Sequence, residues 1–203
     1  MVAFLKAAIP GRGRHRPAAA IAIILLLSAF APARAADPYR PGDEPLFGFV
    51  SEVRLGYAFH DAGVFGREKE DGEDVNAEIV FVSPDFLEIL WSPRPHIGVH
   101  INNAGDTSQL YGGLTWDWWF WDNVFVLFHF GLSGHNGETA APGRVDKEEL
   151  GTEVLFREGL ELGWNFYKKD SISVFLDHVS QGNFFNDENE GLDTFGLRYS
   201  YRF

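Results

Sequence analysis

From residue 47 onward, apolar and polar residues alternate with a period of two in segments separated by polar loops. In 192–203, Asp193, Phe195, Leu197, Tyr199, Tyr201 and Phe203 share one strand face, and Thr194, Gly196, Arg198, Ser200 and Arg202 share the other. In 47–59, Phe47, Phe49, Val53, Leu55, Tyr57 and Phe59 oppose Gly48, Glu52, Arg54, Gly56 and Ala58. In 152–166, Phe156, Leu160, Leu162, Trp164 and Phe166 oppose Arg157, Gly159, Glu161 and Gly163. The pattern predicts strands near 47–59, 75–83, 96–103, 108–120, 124–133, 152–166, 171–180 and 192–203. That is an even number, and most are as long as a tilted membrane strand of about 9–11 residues requires.

Alternation alone fits a soluble sandwich as well as a membrane barrel. Three features select the barrel. Aromatics gather at strand ends, as in "WDWWFW" from Trp116 to Trp121, which suits an interfacial girdle. Charges mixed with glycines on the opposite face suit a narrow, side-chain-filled lumen. The chain also stops on an aromatic strand ending at Phe203. Closure then pairs every strand edge, as lipid demands. The expected fold is an all-β, eight-stranded antiparallel transmembrane β-barrel. The stretch 83–95, "SPDFLEILWSPRP", is too long and apolar for a simple turn, and is expected along the inner interface.

The N-terminus changes the compartment. Lys6, Arg12, Arg14 and Arg16 precede a 14-residue apolar stretch from Ala18 to Ala31, followed by Ala33-Arg34-Ala35. This is the layout of a cleaved signal peptide, too short to span a bilayer as a helix. The expected division is 1–35 signal peptide and 36–203 barrel domain. Cleavage removes five of the 17 basic residues and no acidic ones, leaving 12 basic against 29 acidic, a formal charge of −17. Such a surface argues against nucleic acid as a partner. With no cysteine, disulfides and thiol chemistry are excluded.

With both termini at the inner side, 60–74, 104–107, 134–151 and 181–191 become outer loops. His178 and Ser180 then lie at the outer end of their strand, with the parity of Ile172, Val174 and Leu176, facing lipid. Asp193 has the parity of Phe203. A hairpin centred between Phe185 and Asn186 sets His178 directly opposite Asp193. Acid, base and nucleophile would thus meet on one outward patch. The plainer alternative is a girdle histidine followed by a loop serine. His96 and His100, four apart in a strand, are separated by roughly 13 Å and cannot chelate one metal. They are expected to line the lumen. His129 and Ser133 have the same spacing, and His60 and His135 fall in or beside loops. Glu68, Glu70, Asp71, Glu73 and Asp74 read as a solvated rim.

The closing stretch "LDHVSQGNFFNDENEGLDTFGLRYSYRF" resembles the end of the lipid A 3-O-deacylase (PagL-type) outer-membrane family. His178-Val179-Ser180 matches its H-x-S step, and Asn189-Glu190-Gly191-Leu192-Asp193 its N-x-G-x-[DE] step, with Asn189 and Gly191 as motif support. "WSPRPHIGVHINNAGDTSQLYGGLTWDW" and "FGLSGHNG" are similar as well. The resemblance implies a serine carboxylic ester hydrolase acting on the 3-O-linked 3-hydroxyacyl chain of lipid A. Ser180 would be the nucleophile, His178 the base and Asp193 the acid. The family's asparagine after the serine, implicated in the oxyanion hole, is Gln181 here. Gln181, Gly182 and Asn183 are the oxyanion candidates, the last two able to offer backbone N–H groups.

The implied surroundings are the outer membrane of a Gram-negative bacterium, with lipopolysaccharide as substrate and the barrel assembly machinery reading the strand that ends at Phe203. A homodimer is compatible with this reading. No metal or organic cofactor is required. Two rivals are a non-catalytic adhesin or structural barrel, and a lipid A acyltransferase whose site would sit in or near the lumen.

Overall fold

The computed structural model describes residues 44–63, 68–182 and 190–203. The expected leader, 1–35, lies outside them. Eight strands form in chain order: β1 (Val50–His60), β2 (Glu73–Phe81), β3 (Arg94–Asn102), β4 (Gln109–Phe120), β5 (Val124–His135), β6 (Val154–Tyr167), β7 (Asp170–Ser180) and β8 (Leu192–Arg202). Each pairs antiparallel with the next, and β8 returns to β1 through Glu52↔Arg202 to His60↔Thr194, closing the barrel. The expected all-β membrane barrel is therefore the observed fold, with strand ends displaced by a few residues. No sheet edge remains, which is the condition for a β protein in lipid.

Parity divides the wall. The outward side carries Leu55, Tyr57, Phe59, Val75, Ile79, Ile97, Ile101, Leu110, Leu160, Leu162, Trp164, Phe195 and Leu197, all exposed. The inward side is charged and closed to water. Arg54 bridges Glu52 at 2.6 Å and Glu78 at 2.7 Å. Arg94 bridges Glu52 at 2.7 Å and Asp117 at 2.6 Å. Arg157 meets Asp177 at 2.6 Å, and Arg198 meets Glu161 at 2.5 Å. The guanidiniums of Arg157 and Arg198 also lie over the rings of Tyr111 and Phe175, at 3.9 and 4.0 Å. A buried charge without a partner costs several kcal/mol, so this lumen holds its charges in pairs. The lumenal histidines belong to the same network: Thr115 Oγ1 lies 2.9 Å from both His96 Nδ1 and His129 Nδ1.

The 83–95 stretch contains a short 3-10 helix, Asp85–Leu90. It ends at Trp91, whose φ of 64° is left-handed and whose N–H donates to the Glu88 carbonyl at 2.9 Å. Leu87 tucks inward while Phe86, Ile89 and Trp91 point away, 76, 85 and 72% exposed. Trp116 Nε1 donates to the Leu90 carbonyl at 2.9 Å and pins the helix to β4. At the opposite end the acidic rim departs from expectation. Glu70 and Asp74 are buried around His60, whose ring nitrogens lie 3.1 and 2.9 Å from their carboxylates. Burial alone would raise the Glu70 carboxyl. Hydrogen bonds from His60 and Thr107 instead hold it down at about 2.

Candidate functional site

The β7–β8 register runs unbroken from Asp170↔Tyr201 to Val179↔Leu192 and places His178 directly across from Asp193. The alternation of Ile172, Val174 and Leu176 with Ser173, Phe175 and Asp177 fixes that register, because a slip of one residue would turn every lumenal group into lipid. The expected pairing is thus the observed one, although the tip of the hairpin, 183–189, lies outside the described residues. Asn183 and Asn189 fall there.

His178 faces outward with Ile172, Val174 and Leu176. Its Nδ1 lies 2.5 Å from Asp193 Oδ1. With Nδ1–H donating to the carboxylate, Nε2 becomes the basic nitrogen of the ring. The imidazole keeps 23% exposure and the Asp193 side chain none. Asp193 therefore has outward parity but does not touch lipid. It is covered by residues at the end of β1: Ala62 N–H donates to the Asp193 carbonyl at 3.1 Å, and Gly63 lies so close that a Cβ there would overlap the carboxylate.

Gly191 performs a similar service for the imidazole. Its φ of +74° is left-handed, and a Cβ would sit 2.8 Å from His178 Cε1. Only glycine combines that backbone with that approach.

Ser180 ends β7 on the same face as His178, half-exposed, and pairs with Phe156. Alternate strand residues are roughly 6.6 Å apart, so the two side chains can lean together. Among the described residues no hydrogen bond joins the Ser180 hydroxyl to His178; such contacts are commonly long without substrate and tighten when it binds. Gln181 follows and is completely buried, as Val179 is, so it does not share the Ser180 face. Gly182 comes next with a left-handed φ of +65°.

Glu190, an acid three residues before Asp193, is engaged elsewhere. Its carboxylate pairs with Lys69 and accepts from the Glu149 N–H at 2.9 Å. Burial would raise Glu190, but Lys69 and the Glu149 amide hold it below the ordinary carboxylate range. Glu148, alongside, is pushed up to about 8, by burial first and then by the Glu190 and Asp61 carboxyls.

Gly63 escaped the sequence reading. Its signal lies in barrel closure, since extending the β1–β8 register one step beyond His60↔Thr194 puts Asp61 beside Asp193. Beside the patch, Phe156 in the row of Ser180 stacks on Phe130 in the row of His178, at 6.3 Å between ring centres. Among the described residues no group of three or more His, Asp or Glu side chains could hold a metal ion.

The family model described as lipid A 3-O-deacylase (PagL) matches residues 91–202, a span that includes His178, Ser180 and Asp193. Among solved structures, the chain is similar to "Crystal structure of the outer membrane enzyme PagL", with a TM-score of 0.54 and 13% identity, covering 74% of this chain and 99% of that one. A backbone structure of the Yersinia pestis outer membrane protein Ail gives a TM-score of 0.45 and 14% identity over 76% of this chain and 99% of that one. No curated protein gives a significant sequence match.

Proposed function

The chain belongs to the lipid A 3-O-deacylase (PagL) family, and we propose that it removes the 3-O-linked 3-hydroxyacyl chain of lipid A by serine ester hydrolysis on the outward wall of its barrel. Its place is the outer membrane of a Gram-negative cell. The observation that carries the reading is the His178–Asp193 contact at 2.5 Å on a lipid-facing wall, with Ser180 one strand repeat away. An imidazole held by a buried carboxylate has no structural task on such a wall.

Lipid A would reach this site sideways within its own leaflet, so the enzyme need not extract it. Its acyl chain lies along Leu176, Val174 and Leu160. Ser180 Oγ attacks the ester carbonyl while His178 Nε2 takes the hydroxyl proton. Asp193 holds the tautomer and stabilises the imidazolium. The oxyanion is received by the backbone N–H of Gly182, with Asn183, outside the described residues, as the other candidate, since Gln181 is buried away from Ser180. Collapse expels the sugar 3-hydroxyl, which takes the proton from His178, and leaves an acyl-serine. Water from the headgroup side, activated by His178, releases the 3-hydroxy fatty acid and restores Ser180. Every step is a proton transfer, or an addition to or elimination from the acyl carbon, so no metal is required. Phe203, closing the aromatic strand, is the proposed mark read by the barrel assembly machinery.

The test is mass spectrometry of lipid A incubated with the purified barrel in detergent. Loss of one 3-hydroxyacyl chain, abolished in Ser180→Ala, is expected. A gain of acyl mass would mean a transferase, and unchanged lipid A a non-catalytic barrel.

A further inference from the structure

Between their end residues, the outward faces of the eight strands are apolar or glycine almost throughout. Outside Glu73 and Asp170, each the first residue of its strand, the acidic or basic residues there are His178, Asp193 and Glu158. Glu158 is unexplained by the triad. It lies in β6 opposite His178, so the row across the wall reads Phe130, Glu158, His178, Asp193. It is exposed, and makes no hydrogen bond or ion pair among the described residues. Its neighbours along β6 on the same face are Phe156 and Leu160. A carboxylate is costly in such surroundings and accepts hydrogen bonds only, so its natural complement is a donor on a molecule lying against the wall.

The register says where that donor comes from. Ser180 pairs with Phe156 in the row above, and His178 with Glu158 in the row below, about 6.6 Å deeper. An ester whose carbonyl sits at Ser180 sends its acyl chain down past Glu158, within reach of a flexible glutamate side chain. An unsubstituted acyl chain has no donor there. A 3-hydroxyacyl chain has one, two carbons beyond the carbonyl. The sugar's hydroxyl and amide groups lie on the headgroup side, above Ser180.

Resting on the esterase reading, we infer that Glu158 determines acyl specificity: its carboxylate accepts a hydrogen bond from the 3-hydroxyl of the chain being removed. It thereby selects 3-hydroxyacyl esters over plain acyl esters and over chains whose 3-hydroxyl is itself acylated. It also fixes the first carbons of the chain, and with them the ester carbonyl, against Ser180.

The experiment compares kcat/KM for two glucosamine 3-O-esters of equal chain length, one 3-hydroxylated and one not, in mixed micelles. The proteins are the parent, Glu158→Leu and Glu158→Gln. The parent is expected to prefer the hydroxylated ester by about 10- to 100-fold, the range of one charge-assisted hydrogen bond. Glu158→Leu should bring the ratio close to one, chiefly through the hydroxylated ester. Glu158→Gln, which still offers an acceptor, should retain part of it. A ratio unchanged in Glu158→Leu overturns the inference. So does an equal fall for both esters, or an equal shift of their pH profiles, because Glu158 would then act through His178 or through packing. If the parent cleaves neither ester, the esterase reading itself fails and takes the inference with it. A parent that cleaves both, with a ratio indifferent to Glu158, sinks the inference alone.

Discussion

Gly63 lies against the Asp193 carboxylate so closely that a single added methyl group would overlap it. The two residues meet because β1 and β8 close the barrel, with Ala62 N–H donating to the Asp193 carbonyl. The acid of the site is thus oriented from both ends of the barrel sequence, by the strand that carries it and by the loop that follows the first strand.

Replacing Gly63 should therefore act like damage to the acid. Gly63→Leu is expected to lower kcat by about 100-fold, the order for a misplacement near 1 Å, with KM changed little. The protein should still migrate as a folded barrel when unboiled. Full activity in Gly63→Leu would show that the loop, rather than the carboxylate, gives way.

The triad members should fail as a unit. Ser180→Ala and His178→Ala should each reduce ester hydrolysis by several orders of magnitude, and the double variant should lose little more. Asp193→Asn should cost less than either, since nucleophile and base remain. Glu190→Gln is the control. It sits two residues before Leu192 but pairs with Lys69, and most activity should survive its change. Turnover assays on the five purified variants decide the matter.

Gly191→Ala combines backbone strain with a clash against the imidazole. The left-handed φ costs a non-glycine residue about 1 kcal/mol or more, which urea unfolding in detergent should register. The larger effect should appear in kcat, because His178 must shift to admit the methyl group.

Two loop carboxyls give opposite pH signatures. The folded barrel keeps Glu148 protonated up to about 8, against an ordinary value of 4.5. Its contribution to stability is full below the ordinary value and is lost as pH rises through about 8. Glu70, held at about 2, contributes above the ordinary value and loses that contribution as pH falls toward 2. Urea midpoints measured across pH should thus decline on both sides. Glu148→Gln should flatten the alkaline limb and Glu70→Gln the acid limb. Parallel curves for parent and variants would refute the assignment.

Breaking the lumen should harm stability without touching chemistry. Glu161 accepts from Arg198 at 2.5 Å, from Ser173 Oγ at 2.5 Å, and lies 3.3 Å from His129 Nε2. Glu161→Leu leaves Arg198 short of a partner and should cost about 3–5 kcal/mol in urea unfolding. Molecules that remain folded should turn over substrate at the parent rate, since the site lies on the opposite side of the wall.

Much of this was legible because a β-strand has a period of two. The outward parity of His178 and Ser180 and the pairing of His178 with Asp193 follow from alternation and a symmetric hairpin alone. Three features were not legible, each for its own reason. Gly63 depends on closure between the first and last strands, and nothing in "DAG" announces a distant carboxylate. The helix at Asp85–Leu90 is short, and a mixed apolar stretch of that length has no period to read. Glu70 and Asp74 looked solvated because charge usually is, whereas the end of a packed barrel gives them His60 to enclose.

The lumen has a consequence at the scale of the cell. Side chains spanning its cross-section, among them Arg54, Glu78, Glu161 and Arg198, have no solvent exposure. Among the described residues these side chains fill the lumen, which is packed rather than open as a water-filled pore. A cell can hold such barrels at high density while its outer permeability stays governed by its porins and its lipids.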